Sequence, residues 1–133
     1  MRRALPLTVV WLSVPLGLLI AAFLWINQFP DYRADRQAGK RNLVVRLGRG
    51  PASRVFALLV LAAFALQLLL PAFGCPSAVL LGLCGLPLGW AAARRLMAAP
   101  EDTPRVVPAQ AWTLQSFVVL ALATAAGLVL RRG

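Results

Sequence analysis

The sequence has no histidine, four acidic residues, two cysteines and a single lysine among its 133 residues. The missing histidine excludes imidazole-based acid–base catalysis and the usual zinc or haem ligation within this chain. Cys75 and Cys84 form no recognisable motif, and they read as small apolar packing residues rather than a disulfide or metal site. Charge as a whole is scarce, at 14% of residues against 60% hydrophobic. A soluble domain carries about 25%. The charge that exists is clustered, and three windows hold none: Ala4 to Asn27, Val55 to Ala93 and Val106 to Leu130.

A helix needs roughly 20 apolar residues to cross about 30 Å of hydrocarbon. The first and third windows each fit one span. The middle window fits two short ones, because Pro71, Gly74 and Pro76 interrupt it where a tight turn belongs. The expected fold is all-α, an integral membrane helical bundle of about four transmembrane helices near 5–27, 55–72, 77–94 and 111–130. These form one transmembrane domain over 1–133. Pro15 should kink the first helix. Gly85 and Gly89 give the third a small-xxx-small spacing that lets backbones approach closely. The fourth repeats the theme with Ala121, Ala123, Ala125, Ala126 and Gly127. Residues 98–110, with three prolines and Glu101-Asp102, read as a solvated connection. No ionisable residue lies within a span, which weakens a transporter reading.

The net charge of +10 would suggest nucleic acid in a soluble protein. No nucleic-acid motif accompanies it, and the placement of charge points to a bilayer instead. Ten of the fourteen basic residues fall in loops 28–54 and 94–105. Lys and Arg near span ends stay cytoplasmic. Both loops are therefore expected on the cytoplasmic side of the cell's inner (plasma) membrane, with both termini outside. Trp25, Trp90 and Trp112 fall at the cytoplasmic ends of three helices, where an indole sits half in the headgroups. Arg2 and Arg3 run against this count and look like the n-region of a signal peptide. The apolar stretch behind them is longer than a usual h-region, however, and no A-x-A site precedes Asn27.

Two of the four acids, Asp31 and Asp35, emerge directly after the first helix. Pro30 favours a helix start, and on a helix Asp31 and Asp35 are i and i+4 on one face. Asn27 lies one turn back, giving N-x-x-x-D-x-x-x-D. A carboxylate pair at that spacing calls for a bridging cation. Mg²⁺ binds one or two carboxylates together with waters and substrate phosphate oxygens. Gly39 permits a sharp turn that could bring Lys40 and Arg41 back as phosphate-binding cations. Spacing alone leaves three readings open. They are a Mg²⁺–diphosphate site, a solvated face in which the aspartates pair with Arg33, Arg36 or Lys40, and a basic cluster that holds lipid headgroups.

The run from Asn27 to Gly48, NQFPDYRADRQAGKRNLVVRLG, resembles the second aspartate-rich motif of the UbiA superfamily of membrane prenyltransferases. Its G-K-R-x-L-x-V-R-L-G portion is similar to the branch of 1,4-dihydroxy-2-naphthoate prenyltransferases, which act in menaquinone synthesis. The resemblance implies a nine-helix fold of which this chain looks like helices six to nine, with 28–54 as the cytoplasmic active-site loop. It implies transfer of a polyprenyl group from its diphosphate to an aromatic acceptor, with Mg²⁺ as cofactor. Asp31 and Asp35 would be catalytic Mg²⁺ ligands. Lys40, Arg41 and Asn27 would act on the diphosphate, and Tyr32 and Arg46 are lesser contributors. The family's first aspartate motif, N-D-x-x-D-x-x-x-D, is not in this sequence. The expectation is therefore that a missing N-terminal half or a partner chain completes the site, and that this chain alone has little activity. The alternative is a non-catalytic membrane scaffold or an inactive remnant whose basic loop binds anionic lipid.

Overall fold

The computed structural model describes residues 4–40 and 42–132. It is 86% helical, with no strand among the described residues. Helix α1 spans Ala4–Ile26, and two short helices follow, α2 at Tyr32–Gln37 and α3 at Leu43–Leu47. Helix α4 (Arg49–Leu69) runs into a 3₁₀ turn at Leu70–Phe73. The chain returns through a 3₁₀ segment, Ser77–Gly85, into α5 (Leu86–Ala98), and α6 (Thr103–Arg132) closes the bundle. Four stretches are long and apolar enough to cross a membrane: Val9–Ile26, Arg49–Phe73, Ser77–Ala98 and Thr103–Leu130.

Two helices begin earlier than their charge-free windows suggest, α4 at Arg49 rather than near 55 and α6 at Thr103 rather than near 111. A charge-free window measures hydrocarbon, whereas a helix continues into the headgroups, where Arg49 and Arg54 can extend their charged ends into water. Local chemistry sets the starts. Gly48, at φ 84°, breaks the chain between α3 and α4, a conformation that favours glycine. Pro104 occupies the second position of α6, where a missing N–H costs nothing. The expected 98–110 connection thereby shrinks to 99–102.

The nine-residue 3₁₀ segment is long for its kind, since such runs rarely exceed three or four residues. Its length has a physical use. As an α-helix, the charge-free run from Ser77 to Ala93 would rise roughly 26 Å at 1.5 Å per residue. With Ser77–Gly85 rising about 2.0 Å per residue it reaches roughly 30 Å, the thickness of the hydrocarbon. Side chains from two neighbours steady it. Gln67 Nε2 donates to Val79 O at 2.6 Å and to Thr124 Oγ1 at 2.9 Å, and Ser116 Oγ donates to Gly85 O at 2.7 Å. Such internal partners are what lipid-embedded backbone requires.

The buried face of α1 is Pro15, Leu19, Ala22 and Ile26, spaced four and three residues apart, as one side of a helix requires. Its Leu7, Val9, Val10 and Leu24 are exposed, as are Leu58 and Leu68 of α4 and Leu122 and Val129 of α6. This outward apolar surface suits lipid. On α6 the expected small-residue stripe is only partly the packing face: Gly127 is buried, Ala121 and Ala123 are half-buried, and Ala125 and Ala126 are exposed. The buried row is Val106, Ala109, Thr113, Ser116, Leu120, Thr124 and Gly127. It lies against the returning hairpin, where Gly82, Gly85 and Gly89 leave no room for a Cβ. Face, rather than local abundance of small residues, decides contact. Cys75 is buried with Leu70 and Val79, and burial pushes its thiol pKa up. Cys84 is exposed, contrary to the packing role expected of it.

Aromatic and amide contacts identify the two ends of the bundle. Trp11 stacks on Phe73 at 4.4 Å, so the first half of α1 meets the 3₁₀ turn. At the other end Trp25 Nε1 donates to Ala52 O at 2.8 Å. Arg95 Nε donates to Arg105 O at 3.0 Å, and Arg95 lies over Trp112 at 5.3 Å. The 27–48 loop and the 99–102 connection therefore share one end.

Candidate functional site

The turn after α1 positions the motif. Ile26 and Phe29 are buried on the core side, which fixes where the chain leaves the bundle. Pro30 precedes α2 rather than opening it, and Asp31 takes the N-cap position with φ −89° and ψ 3°. The expected one-turn relation survives this shift, because Asp35 N donates to Asp31 O at 2.8 Å. Gly39, at φ 78°, turns the chain sharply, and Lys40 N then donates to Asp35 O at 2.9 Å.

That turn returns Lys40 to the motif. Lys40 Nζ stands 3.8 Å from Asp35 Oδ1, and the Asp35 side chain is 18% exposed against 71% for Lys40. Asn42 holds the other oxygen, its Nδ2 donating to Asp35 Oδ2 at 3.2 Å. The same Asn42 caps α3, its Oδ1 accepting from Val45 N at 2.9 Å. Asp31 is exposed and makes no ion pair among the described residues. Arg41, expected on the diphosphate, lies outside the described residues. Arg46 is exposed. Tyr32 carries the Arg49 guanidinium on its ring face at 4.4 Å.

Asn27 is engaged from an unexpected direction. Gln110 Nε2 of α6 donates to Asn27 Oδ1 at 2.8 Å, tying the start of the last helix to the start of the motif. Beside it, Gln28 Oε1 is buried without a hydrogen-bond partner among the described residues. Asn42 and Gln110 escaped the sequence reading. An Asn just before the apolar run Leu43-Val44-Val45 is an N-cap signal that could have found the first. Nothing local marks Gln110, whose partner is 83 residues away.

The donor set can be tested against the expected Mg²⁺. Asp31 and Asp35 offer carboxylate oxygens, and each carboxylate has about four lone-pair sites. Asp35 can therefore accept from Asn42 and still face a cation. No cluster of three His, Cys, Asp or Glu side chains forms among the described residues. Two carboxylates suit a hard cation that keeps waters and arrives with substrate phosphate. They fit Mg²⁺ bound together with diphosphate, and do not make a stand-alone metal centre.

The family model of the UbiA prenyltransferase family matches residues 1–114. The chain belongs to the UbiA prenyltransferase family. Neither a curated protein nor a solved structure gives a significant match. The match covers α1 to α5, the whole motif loop and the first part of α6. This UbiA chain is a multi-pass membrane protein of a prenyltransferase family, and its polar end carries the one D-x-x-x-D of its sequence.

Proposed function

We propose that the Asn27–Gly48 loop is a prenyl diphosphate-binding half-site of a UbiA prenyltransferase. It would serve transfer of a polyprenyl group from its diphosphate to an aromatic acceptor. The observation that carries this reading is the closed loop at Asp35. Gly39 turns the chain so that Lys40 and Asn42 both reach that carboxylate, which leaves acid and base side by side. Asp31 and Asp35 would hold Mg²⁺, whose role when bound is to offset charge on the diphosphate. Lys40 and Arg41 would contact diphosphate oxygens as cations. Asn27, fixed by Gln110, positions the first turn of the motif.

Two finer assignments belong to the same reading. The G-K-R-x-L-x-V-R-L-G portion favours a 1,4-dihydroxy-2-naphthoate-like acceptor and hence quinone synthesis. The clustering of ten basic residues at the loop end favours a cytoplasmic loop in the inner membrane. Glu101 and Asp102 are adjacent and form no second D-x-x-x-D. On this reading a second aspartate cluster would have to come from another segment or a partner chain, and residues 1–133 alone are expected to bind diphosphate rather than turn it over.

The test is equilibrium binding of a radiolabelled polyprenyl diphosphate to the chain in phosphatidylcholine nanodiscs, with Mg²⁺ and with chelator. Binding that needs Mg²⁺ supports the reading. Binding of equal strength in chelator contradicts it.

A further inference from the structure

The motif loop has a second flank. At 3.6 residues per turn, Asp31 and Asp35 fall on one side of α2, while Tyr32, Arg33 and Arg36 fall on the other. On that other side an open crevice of about 660 Å³ is lined by Tyr32, Arg33, Arg36, Gln37 and Arg49. Three arginines line it and no acid does. A neighbouring crevice of about 520 Å³ shares Arg36 and adds Lys40 and Arg46, again without an acid.

We propose that this flank is a phosphate-binding site separate from the aspartate face, suited to the phosphate of an anionic lipid headgroup. Like charges converging on one space repel each other, and an anion between them relieves the repulsion. The chain's own acids do not fill that role: Asp35 is taken up by Lys40 and Asn42, Asp102 stands 3.4 Å from Arg105 Nε, and Asp31 and Glu101 form no ion pair among the described residues. Among the described residues Arg33, Arg36 and Arg49 have no ion-pair partner. Arg49 is already oriented by its stacking on Tyr32, and a planar guanidinium matches phosphate with two parallel hydrogen bonds.

Depth selects the source of the phosphate. Arg49 is the first residue of a membrane-crossing stretch, so the crevice opens at headgroup level. Arg33 and Arg49 also line the crevice that holds Glu101 and Asp102. Those acids disfavour an anion on that side and direct it toward Arg36.

The experiment titrates the detergent-solubilised chain with dioctanoyl phosphatidylglycerol, with dioctanoyl phosphatidylcholine and with inorganic phosphate. The proteins are the wild type, Arg33→Gln/Arg36→Gln, Arg33→Lys/Arg36→Lys and Asp31→Asn/Asp35→Asn. Phosphatidylglycerol should bind more tightly than phosphatidylcholine. It should lose about 25-fold in the glutamine variant, at roughly fivefold per arginine. Part of that loss should return in the lysine variant, and the asparagine variant should bind like wild type. Failure to displace the lipid with millimolar phosphate assigns the site to a headgroup. Displacement assigns it to free phosphate. Equal binding by wild type and the glutamine variant, or loss confined to the asparagine variant, overturns the proposal. If circular dichroism shows the double variant unfolded, Arg36→Gln alone is judged by the same criteria. The Mg²⁺–diphosphate reading is judged by polyprenyl diphosphate binding and this one by lipid binding, so the two proposals can fail separately.

Discussion

Lys40 Nζ lies 3.8 Å from Asp35 Oδ1, across the turn that Ala38 and Gly39 make after α2. The cation expected to meet diphosphate is thus docked on the carboxylate expected to meet metal. Such a pair, 71% exposed at its lysine, contributes little to folding, at most about 1 kcal/mol. Its value lies in placing both groups beforehand. Lys40→Met should therefore leave the thermal midpoint within error while weakening polyprenyl diphosphate binding by about tenfold, one charge-assisted hydrogen bond's worth. Calorimetry and binding on the same preparation check both halves.

Asn42 joins the two short helices by serving each with a different atom. Asn42→Ala loses the α3 cap, at about 1 kcal/mol, together with the hydrogen bond to Asp35. Asn42→Ser keeps a capping oxygen but cannot reach Asp35 as an amide does. The alanine variant should show faster amide exchange at Val45 than wild type, and the serine variant should not. Both should bind diphosphate more weakly. Protected exchange in the alanine variant would contradict the capping role.

How much of this was legible in the sequence varies with the range of the interaction involved. Charge-free windows found four crossings because hydrocarbon excludes charge whatever the tertiary structure. They missed the starts of α4 and α6, since Arg49 and Thr103 belong to helices that leave the hydrocarbon before they end. The Asp31–Asp35 spacing and the Gly39 turn are local, and both were readable. The α6 packing row was not. Ser116 and Thr124 are polar letters that are buried where the glycines of the opposite hairpin admit them. The Asn27–Gln110 hydrogen bond is a product of topology alone.

The glycine row sets up a contrast within one protein. A Cβ on Gly82 would stand 2.5 Å from Thr124 Oγ1 and 2.7 Å from Gln67 Nε2, displacing the amide that steadies Val79 O. Gly17, inside α1, has nothing within 4 Å. Gly82→Ala should destabilise by about 1–3 kcal/mol through overpacking. Gly17→Ala should stabilise by up to about 1 kcal/mol through helix propensity. Unfolding in mixed micelles measures both, and equal effects would contradict the packing described.

Gln110 offers a test of long-range positioning. Removing its amide leaves Asn27 Oδ1 without its partner, so Gln110→Ala and Asn27→Ala should each weaken diphosphate binding. Because they break one shared hydrogen bond, the double variant should be no worse than the poorer single. Full additivity would show that the two residues act independently.

The central claim is that Asp31 and Asp35 act together through a divalent cation on a prenyl diphosphate. The direct measurement is Mg²⁺-dependent binding of polyprenyl diphosphate to Asp31→Asn and Asp35→Asn in phosphatidylcholine nanodiscs, beside Arg33→Gln/Arg36→Gln as a control that removes charge from the other flank of α2. The account predicts that either asparagine variant abolishes the Mg²⁺-dependent part of binding while the control retains it. Mg²⁺-dependent binding that survives in both asparagine variants would contradict it.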